Sequence, residues 1–164
     1  IEFAEAAAIL KGKNIDAEFI LVGDPDLDNP SSIKSSQVKQ WEQKGILNCW
    51  GHVDNMQDIL SQASIVVLPS YREGTPRSTL EALSTGRPII TTDTPGCRET
   101  VKDGINGYLV PDKNIQEPIK KLTLLADAKL RKTMGRESRL YCVEKYDVHK
   151  VNEEILNIMQ INKL

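Results

Sequence analysis

Residues 65–81 read IVVLPSYREGTPRSTLE, and this stretch decides the fold. Residues 65–68 form an apolar run that a polar loop follows, and Thr75 and Pro76 then open a helix as its N-cap and first turn. A strand that is apolar at every position is typical of a parallel sheet with helices on both faces. The stretch therefore predicts one strand–loop–helix unit of an α/β protein.

The same alternation of strands and helices runs along the whole chain. Apolar runs predict further strands at 19–22, 46–50, 88–92 and 107–110. Helical periodicity and capping residues predict helices at 1–11, 32–44, 54–63 (capped by Asp54), 75–85, 96–102, 117–126, 127–134 (ended by Gly135), 137–145 and 147–160. We therefore expect a Rossmann-like open parallel sheet with helices on both faces and extra C-terminal helices. Because a helix comes first, we expect one more strand of the sheet to lie upstream of Ile1.

The composition excludes several classes of protein. A chain of 164 residues can form one large core but not two comfortable domains, so we predict a single domain over 1–164. The 21 Lys and Arg residues nearly balance the 23 Asp and Glu residues, which argues against a nucleic-acid partner. Apolar runs of about five residues are too short for a transmembrane helix. Cys49, Cys97 and Cys142 form no C-x-x-C motif, which indicates a reducing cytoplasm.

The loop and helix at 69–81 have the features of an anion site. The free N–H groups and dipole of the helix start favour a phosphate, and Gly74 lets the backbone come close to a ligand. Glu73 lies in the loop, and Glu81 lies about 9 Å along the helix from its start, so a carboxylate lies on each side of the anion. Carboxylates accept hydrogen bonds from vicinal diols. A ligand with a diol, then phosphates, then another diol would fit, and a nucleotide sugar has that layout.

A purely structural interpretation of the two glutamates stays open at this point. Arg77 and Glu81 are four residues apart on a helix and could form a surface ion pair, and Glu73 could be a solvated loop residue. His52 and His149 lie far apart in the sequence with no carboxylate spacing typical of a metal site, so we predict no bound metal.

Residues 73–82 (EGTPRSTLEA) resemble the glutamate–seven-residue–glutamate motif of the family-4 retaining glycosyltransferases. Members of that family have the GT-B fold, in which two Rossmann-like domains face each other across a cleft. Further stretches are similar to the C-terminal, donor-binding domain of the family, so the resemblance covers most of the chain. They are VGDPD at 22–26, WGH at 50–52, GRPIITT at 86–92, PGCRE at 95–99 and DGINGYLV at 103–110.

The resemblance implies roles for individual residues. Glu73 would contact hydroxyls of the donor sugar and is the candidate catalytic residue. Glu81 would bind the ribose hydroxyls, the loop at Trp50 and Gly51 would border the nucleobase, and Glu99 would cap a short helix. The other candidate donor-binding residues form the turn and helix start beside the sugar, the diphosphate and the ribose: Gly74, Thr75, Pro76, Arg77, Ser78 and Leu80.

One departure from the family concerns the diphosphate. The family has an Arg and a Lys that clamp it, just after the first strand of this domain, and those positions would fall before Ile1. Lys11 and Lys13 lie too far along the first helix to replace them. The N-terminal acceptor domain of the family is also absent from this chain. We therefore expect about half of an enzyme, truncated at its N-terminus, with a damaged donor site.

The activity implied by the resemblance is transfer of a hexose from a nucleoside-diphosphate sugar to an acceptor hydroxyl, in the synthesis of polysaccharide or lipopolysaccharide. The expected donor is a UDP-sugar, and no cofactor is expected. The expected partner is the missing N-terminal domain, with the intact protein in the cytoplasm and peripheral to the inner face of the membrane. Two alternatives stay open: half of a nucleotide-sugar epimerase with the same fold, and a non-catalytic nucleotide-binding module.

The last predicted helix carries an apolar stripe that the family would pack on the N-terminal domain. Its members are Val148, Val151, Ile155, Ile158 and Met159. Without that domain, we expect the stripe to drive self-association or the helix to fray.

Overall fold

The structure is a computed structural model that describes residues 1–25 and 32–160. Within those ranges helices and strands alternate, as predicted. The helices are α1 (Glu2–Gly12), α2 (Ser35–Gln43), α3 (Met56–Gln62), α4 (Arg77–Ser84), α5 (Gln116–Leu124), α6 (Ala128–Lys145) and α7 (Val148–Ile158). The strands are β1 (Ile20–Val22), β2 (Asn48–Gly51), β3 (Val66–Leu68), β4 (Ile89–Thr92) and β5 (Gly107–Val110).

In the described part of the chain all strand pairs are parallel, which confirms the predicted α/β class, but these strands form two separate sheets. β1 pairs with β2, and β4 pairs with β3 on one side and with β5 on the other. Among the described residues, β1 and β3 each keep one edge without a partner strand, although every residue in them is apolar. One further parallel strand that paired with both edges would join the two sheets. The expected strand upstream of Ile1 stays a prediction.

Helices cover both faces of the three-stranded sheet. Ile89 of β4 packs against Leu83 of α4, whereas the next residue, Ile90, packs against Leu125 and against Met134 of α6. All four residues of β4 are buried, and each large aliphatic side chain buried in this way contributes about 1.5–3 kcal/mol to the free energy of unfolding. A separate cluster joins α1, α2 and α5 to the two-stranded sheet: Ala4, Ala6, Ala7, Leu10, Phe19, Trp41, Leu47 and Ile119.

α6 is a single helix of 18 residues, where the sequence predicted two helices separated by Gly135. Gly135 is buried inside this helix, and a Cβ at its position would lie 2.3 Å from the carbonyl oxygen of Gly86. The glycine therefore lets α6 pack directly on the turn after α4. The prediction of a helix end was wrong because this glycine serves close packing between elements.

Two predicted helix caps also differ from the structure. Pro76, not Thr75, is the N-cap residue of α4, and no side chain caps that helix. Asn55, not Asp54, caps α3, because its Oδ1 accepts a hydrogen bond from the N–H of Asp58 at 3.4 Å. The short helix predicted at 96–102 is a 3₁₀ turn at Arg98–Thr100.

All three cysteines are free thiols. In the described part of the chain, no helix combines the length and the apolar composition that crossing a membrane requires.

α7 presents its apolar stripe to solvent. None of its residues is buried, and the exposed fraction reaches 60% at Val148 and 74% at Ile158. Leu140 and Val143 near the end of α6 are exposed as well. The stripe therefore does not dock on the rest of the described chain.

We predict that the chain self-associates through α7 or that α7 frays beyond about Val151. Burial of each stripe residue contributes about 1.5 kcal/mol or more, so an exposed stripe favours association. Hydrogen exchange at several protein concentrations, with sedimentation velocity, measures both outcomes. In the control variant Ile155→Glu/Ile158→Glu, association should be lost while protection of β4 is unchanged. Strong protection through Met159 that does not depend on concentration, in a monomer, would contradict the prediction.

Candidate functional site

The loop between β3 and α4 lies at the carboxyl end of the parallel strands, as predicted, and β4 determines its path. The Thr91 hydroxyl donates to the carbonyl of Leu68 at 2.8 Å, and the Thr92 hydroxyl donates to the carbonyl of Ser70. Both threonines are buried, and buried polar groups need such partners. The two hydrogen bonds therefore fix the first residues of the loop.

Glu73 is half-buried in this loop and accepts a hydrogen bond from a neighbouring side chain. The Ser70 hydroxyl donates to Glu73 Oε1 at 2.7 Å. An ionised carboxylate has about four acceptor positions, so the rest of the group remains able to accept hydroxyls of a ligand. Gly74 and Thr75, which follow, are exposed, so the turn presents its backbone at the surface.

Arg77 and Glu81 form an ion pair on α4, with Arg77 Nε donating to Glu81 Oε1 at 2.8 Å. The Arg77 side chain is 91% exposed and that of Glu81 is 32% exposed. A pair this exposed contributes less than about 0.5 kcal/mol to stability. The ion pair of the structural interpretation is therefore present, and a ligand hydroxyl can replace it at low cost.

Arg77 and Glu81 also line a depression between the first half of α3 and one side of α4, which it follows from Arg77 to Thr85. The sequence did not indicate that polar residues of α3 lie on the other side of this depression. No sequence signal predicts that α3 lies beside α4, because β2 and β3 belong to different sheets and only the folded chain brings the two helices together. The other lining residues are Asp54, Asn55, Met56, Gln57, Leu60, Ser84 and Thr85.

Three other predicted donor-binding residues of this segment have different surroundings. Ser78 is exposed on the first turn of α4. Pro76 is buried, and its carbonyl accepts a hydrogen bond from the Thr79 hydroxyl at 2.8 Å. Leu80 packs against the core cluster around Ala82, Leu83, Ile89 and Val101. Pro76 and Leu80 thus fix the position of the helix, and Ser78 is accessible from outside.

Trp50 and Gly51 lie at the end of β2, in the two-stranded sheet. Trp50 is 44% exposed, and the carbonyl of Gly51 accepts a hydrogen bond from the N–H of Gly23 at 2.8 Å. Neither residue lines the depression beside Glu81. His52 lies on an exposed loop with its Nε2 3.5 Å from Asp54. Within residues 1–25 and 32–160, no three His, Cys, Asp or Glu side chains are grouped so that they could hold a metal ion.

The start of α1 reaches the same loop. The Tyr71 hydroxyl donates to the Glu2 carboxylate, and this hydrogen bond raises the pKa of Tyr71. At the other end of α1, Lys11 donates to the carbonyl of Gly45, shortly before β2 begins. Lys11 is thus directed to the amino end of the strands, away from Glu73.

Glu99 anchors α6 instead of capping a helix. Its carbonyl oxygen accepts hydrogen bonds from the Tyr141 and Tyr146 hydroxyls, at 3.0 and 2.6 Å, and from Lys145 at 3.1 Å. Its carboxylate pairs with Lys145, also at 3.1 Å. Burial lowers the pKa of Lys145, but hydrogen bonds with Tyr141, Glu99 and Tyr146 outweigh it and raise the pKa. The capping prediction was wrong because the group that matters is a backbone carbonyl.

The chain is similar to a family profile and to two curated glycosyltransferases. The sequence profile described as "Glycosyl transferases group 1" matches residues 2–128. The N,N'-diacetylbacillosaminyl-diphospho-undecaprenol alpha-1,3-N-acetylgalactosaminyltransferase of Campylobacter jejuni is 32% identical over 158 residues, covering 96% of this chain and 40% of that protein. The UDP-Gal:alpha-D-GlcNAc-diphosphoundecaprenol alpha-1,3-galactosyltransferase of Escherichia coli is 31% identical over 166 residues, covering 98% of this chain and 42% of that protein.

A solved structure agrees with these matches. The C-terminal domain of a glycosyl transferase group 1 family protein (LpcC) from Francisella tularensis superposes with a TM-score of 0.76 at 28% identity, covering 90% of this chain and 78% of that one. The chain spans about 40% of the length of the two curated relatives. Because the profile covers most of the chain, including the whole segment from β3 to α4, the chain belongs to the glycosyl transferases group 1 family.

Proposed function

We propose that this chain is the donor-binding domain of a retaining glycosyltransferase that transfers a hexose from a UDP-sugar to an acceptor hydroxyl, in polysaccharide or lipopolysaccharide synthesis. The observation that carries the proposal is the position of Glu73 and Glu81 on either side of the uncapped start of α4, at the carboxyl end of β3. The names of both curated relatives support a transferase, and that of the Escherichia coli relative includes UDP-Gal as donor.

The start of α4 would hold the diphosphate. No side chain caps this helix, so the N–H groups of its first turn are available to phosphate oxygens. Negative charge grows on the diphosphate as its bond to the sugar breaks. The N–H groups, the helix dipole and the Arg77 guanidinium would stabilise that charge, which lowers the barrier to transfer.

The two carboxylates would bind the two ends of the donor. Glu73 would accept hydrogen bonds from sugar hydroxyls with the positions that Ser70 leaves open. Its charge would also favour the positive charge that develops on the sugar as the diphosphate leaves. A ribose diol on Glu81 would displace Arg77 from its ion pair, and the guanidinium would then be available to the phosphates.

The domain organisation is part of the proposal. The two curated relatives are much longer than this chain, and the remaining part of such a protein would supply the acceptor domain. The start of α1 lies beside Tyr71, so residues that precede α1 in a longer chain would reach the loop that carries Glu73. We place the expected Arg and Lys clamp there. The unpaired edges of β1 and β3 support an additional strand in the same upstream segment.

We predict that this chain alone transfers no measurable sugar, because the acceptor domain and the phosphate clamp are missing from it. The measurement is UDP release from UDP-glucose, UDP-galactose and UDP-N-acetylglucosamine in the presence of a lipid-linked sugar acceptor. The same chain extended by the upstream part of its own protein is the positive control. Robust turnover by the 164-residue chain would contradict the proposal that transfer needs an acceptor domain and a phosphate clamp from a longer protein.

We also predict that UDP binds this chain with a Kd no better than about 1 mM, or about −4 kcal/mol. Glu81→Ala should remove most of the binding, measured by ligand-observed NMR, because the ribose loses its carboxylate. The matched control is Glu117→Ala, since Glu117 is 31% exposed and pairs with Lys120 at 2.6 Å on α5. A Kd unchanged by Glu81→Ala would leave Glu81 only as the ion-pair partner of Arg77.

A further inference from the structure

The segment that follows β4 lies directly on the turn that carries Glu73. A Cβ on Gly96 would lie 1.6 Å from the carbonyl oxygen of Gly74 and 2.5 Å from that of Glu73. Gly96 also has a φ of +83°, in the region that L side chains rarely adopt. The contact is therefore one of backbone against backbone, and only glycine permits it.

Both ends of the segment that contains Gly96 are held in place. At its start, the Thr92 hydroxyl donates to the Ser70 carbonyl, in the same loop as Glu73. At its end, Cys97 is fully buried, and the Glu99 carbonyl accepts hydrogen bonds from Tyr141 and Tyr146. Because the segment is held at both ends, it stays against the turn that it contacts. Gly96 therefore restricts movement of the backbone at Glu73 and Gly74.

The turn has a second constraint from inside the loop. The Ser70 hydroxyl donates to Glu73 Oε1 at 2.7 Å, and the Ser70 carbonyl is the group that Thr92 holds. The carboxylate of Glu73 is thus oriented by a residue whose own backbone is fixed to β4. Contact with Gly96 sets the backbone of the turn, and the bond from Ser70 sets the direction of the carboxylate.

We propose that Gly96 and Ser70 are positioning residues for Glu73, and that they hold its carboxylate in the one orientation that accepts hydroxyls of the donor sugar. The proposal rests on the proposed function for its ligand, a nucleoside-diphosphate hexose. Neither residue needs to touch the donor. Their effect is on recognition of the sugar, more than on recognition of the UDP part that Glu81 and the start of α4 would bind.

The first arm of the experiment needs no ligand. In Gly96→Ala, ¹⁵N relaxation of the labelled chain should show the backbone order parameters of Glu73 and Gly74 falling from about 0.85 to below about 0.6, since the added methyl displaces the turn. The matched control is Gly104→Ala. Gly104 has a φ of +75° with nothing within 4 Å of the added Cβ, so it carries the same backbone strain without the contact. Equal order parameters of the turn in the two variants would overturn the role of Gly96.

The second arm measures the Kd for UDP and for three UDP-hexoses, UDP-glucose, UDP-galactose and UDP-N-acetylglucosamine, by ligand-observed NMR. The quantity compared is the ratio of the Kd for UDP to the Kd for the best-bound UDP-hexose. Ser70→Ala should weaken the best-bound UDP-hexose about fivefold or more, since fivefold is about the net effect of one hydrogen bond. The same change should leave the Kd for UDP within about twofold. Ser70→Thr, which keeps the hydroxyl, should restore the ratio. Ser70→Ala adds no atoms, so this arm still holds if Gly96→Ala does not fold.

An unchanged ratio in Ser70→Ala, or a changed ratio that Ser70→Thr does not restore, would overturn the role of Ser70. The experiment distinguishes failure of the proposed function from failure of the positioning roles. If the chain extended by the upstream part of its own protein binds none of the UDP compounds at millimolar concentration, the proposed function is contradicted, while the order parameters in Gly96→Ala still decide whether Gly96 positions the turn.

Discussion

Two hydrogen bonds at the end of β4 determine where the loop after β3 lies, and the candidate site depends on them. β4 is buried at every position and paired on both edges, so it has no freedom to shift. The hydroxyls of Thr91 and Thr92 are therefore fixed donors, and they hold the carbonyls of Leu68 and Ser70. Ser70 in turn orients Glu73. The buried sheet thus sets the direction of a surface carboxylate through a short chain of contacts.

The two ends of the site differ in rigidity, and the difference suits their proposed roles. Glu73 lies in a turn that contacts Gly96 and accepts a hydrogen bond from Ser70, and in our proposal these contacts orient its carboxylate before any ligand arrives. Arg77 and Glu81 are held mainly by their own exposed ion pair. A site of this kind would recognise the sugar with a preformed group and adjust its side chains around the nucleotide. Preformed groups reduce the entropy cost of binding.

The sequence predicted the features that depend on local pattern. Apolar runs located the five strands that the described residues form. The spacing of Glu73 and Glu81 around a helix start led to the candidate site, whose role stays a proposal. The features that failed depend on what a residue meets in space. Gly135 interrupts no helix because α6 packs on another turn through it, and Glu99 acts through a carbonyl that no side-chain pattern can reveal. The roles inferred for Ser70 and Gly96 likewise depend on contacts that only the folded chain brings together.

A residue-resolved NMR titration of the ¹⁵N-labelled chain with UDP-glucose, UDP-galactose and UDP-N-acetylglucosamine tests the central claim most directly. The claim is that the donor binds where β4 fixes the loop after β3. It predicts that the largest amide shifts occur at 73–81, with smaller ones at 54–57 on the facing side of the depression. Largest shifts in α7, or in β5 and α5, would place the donor elsewhere and contradict the account.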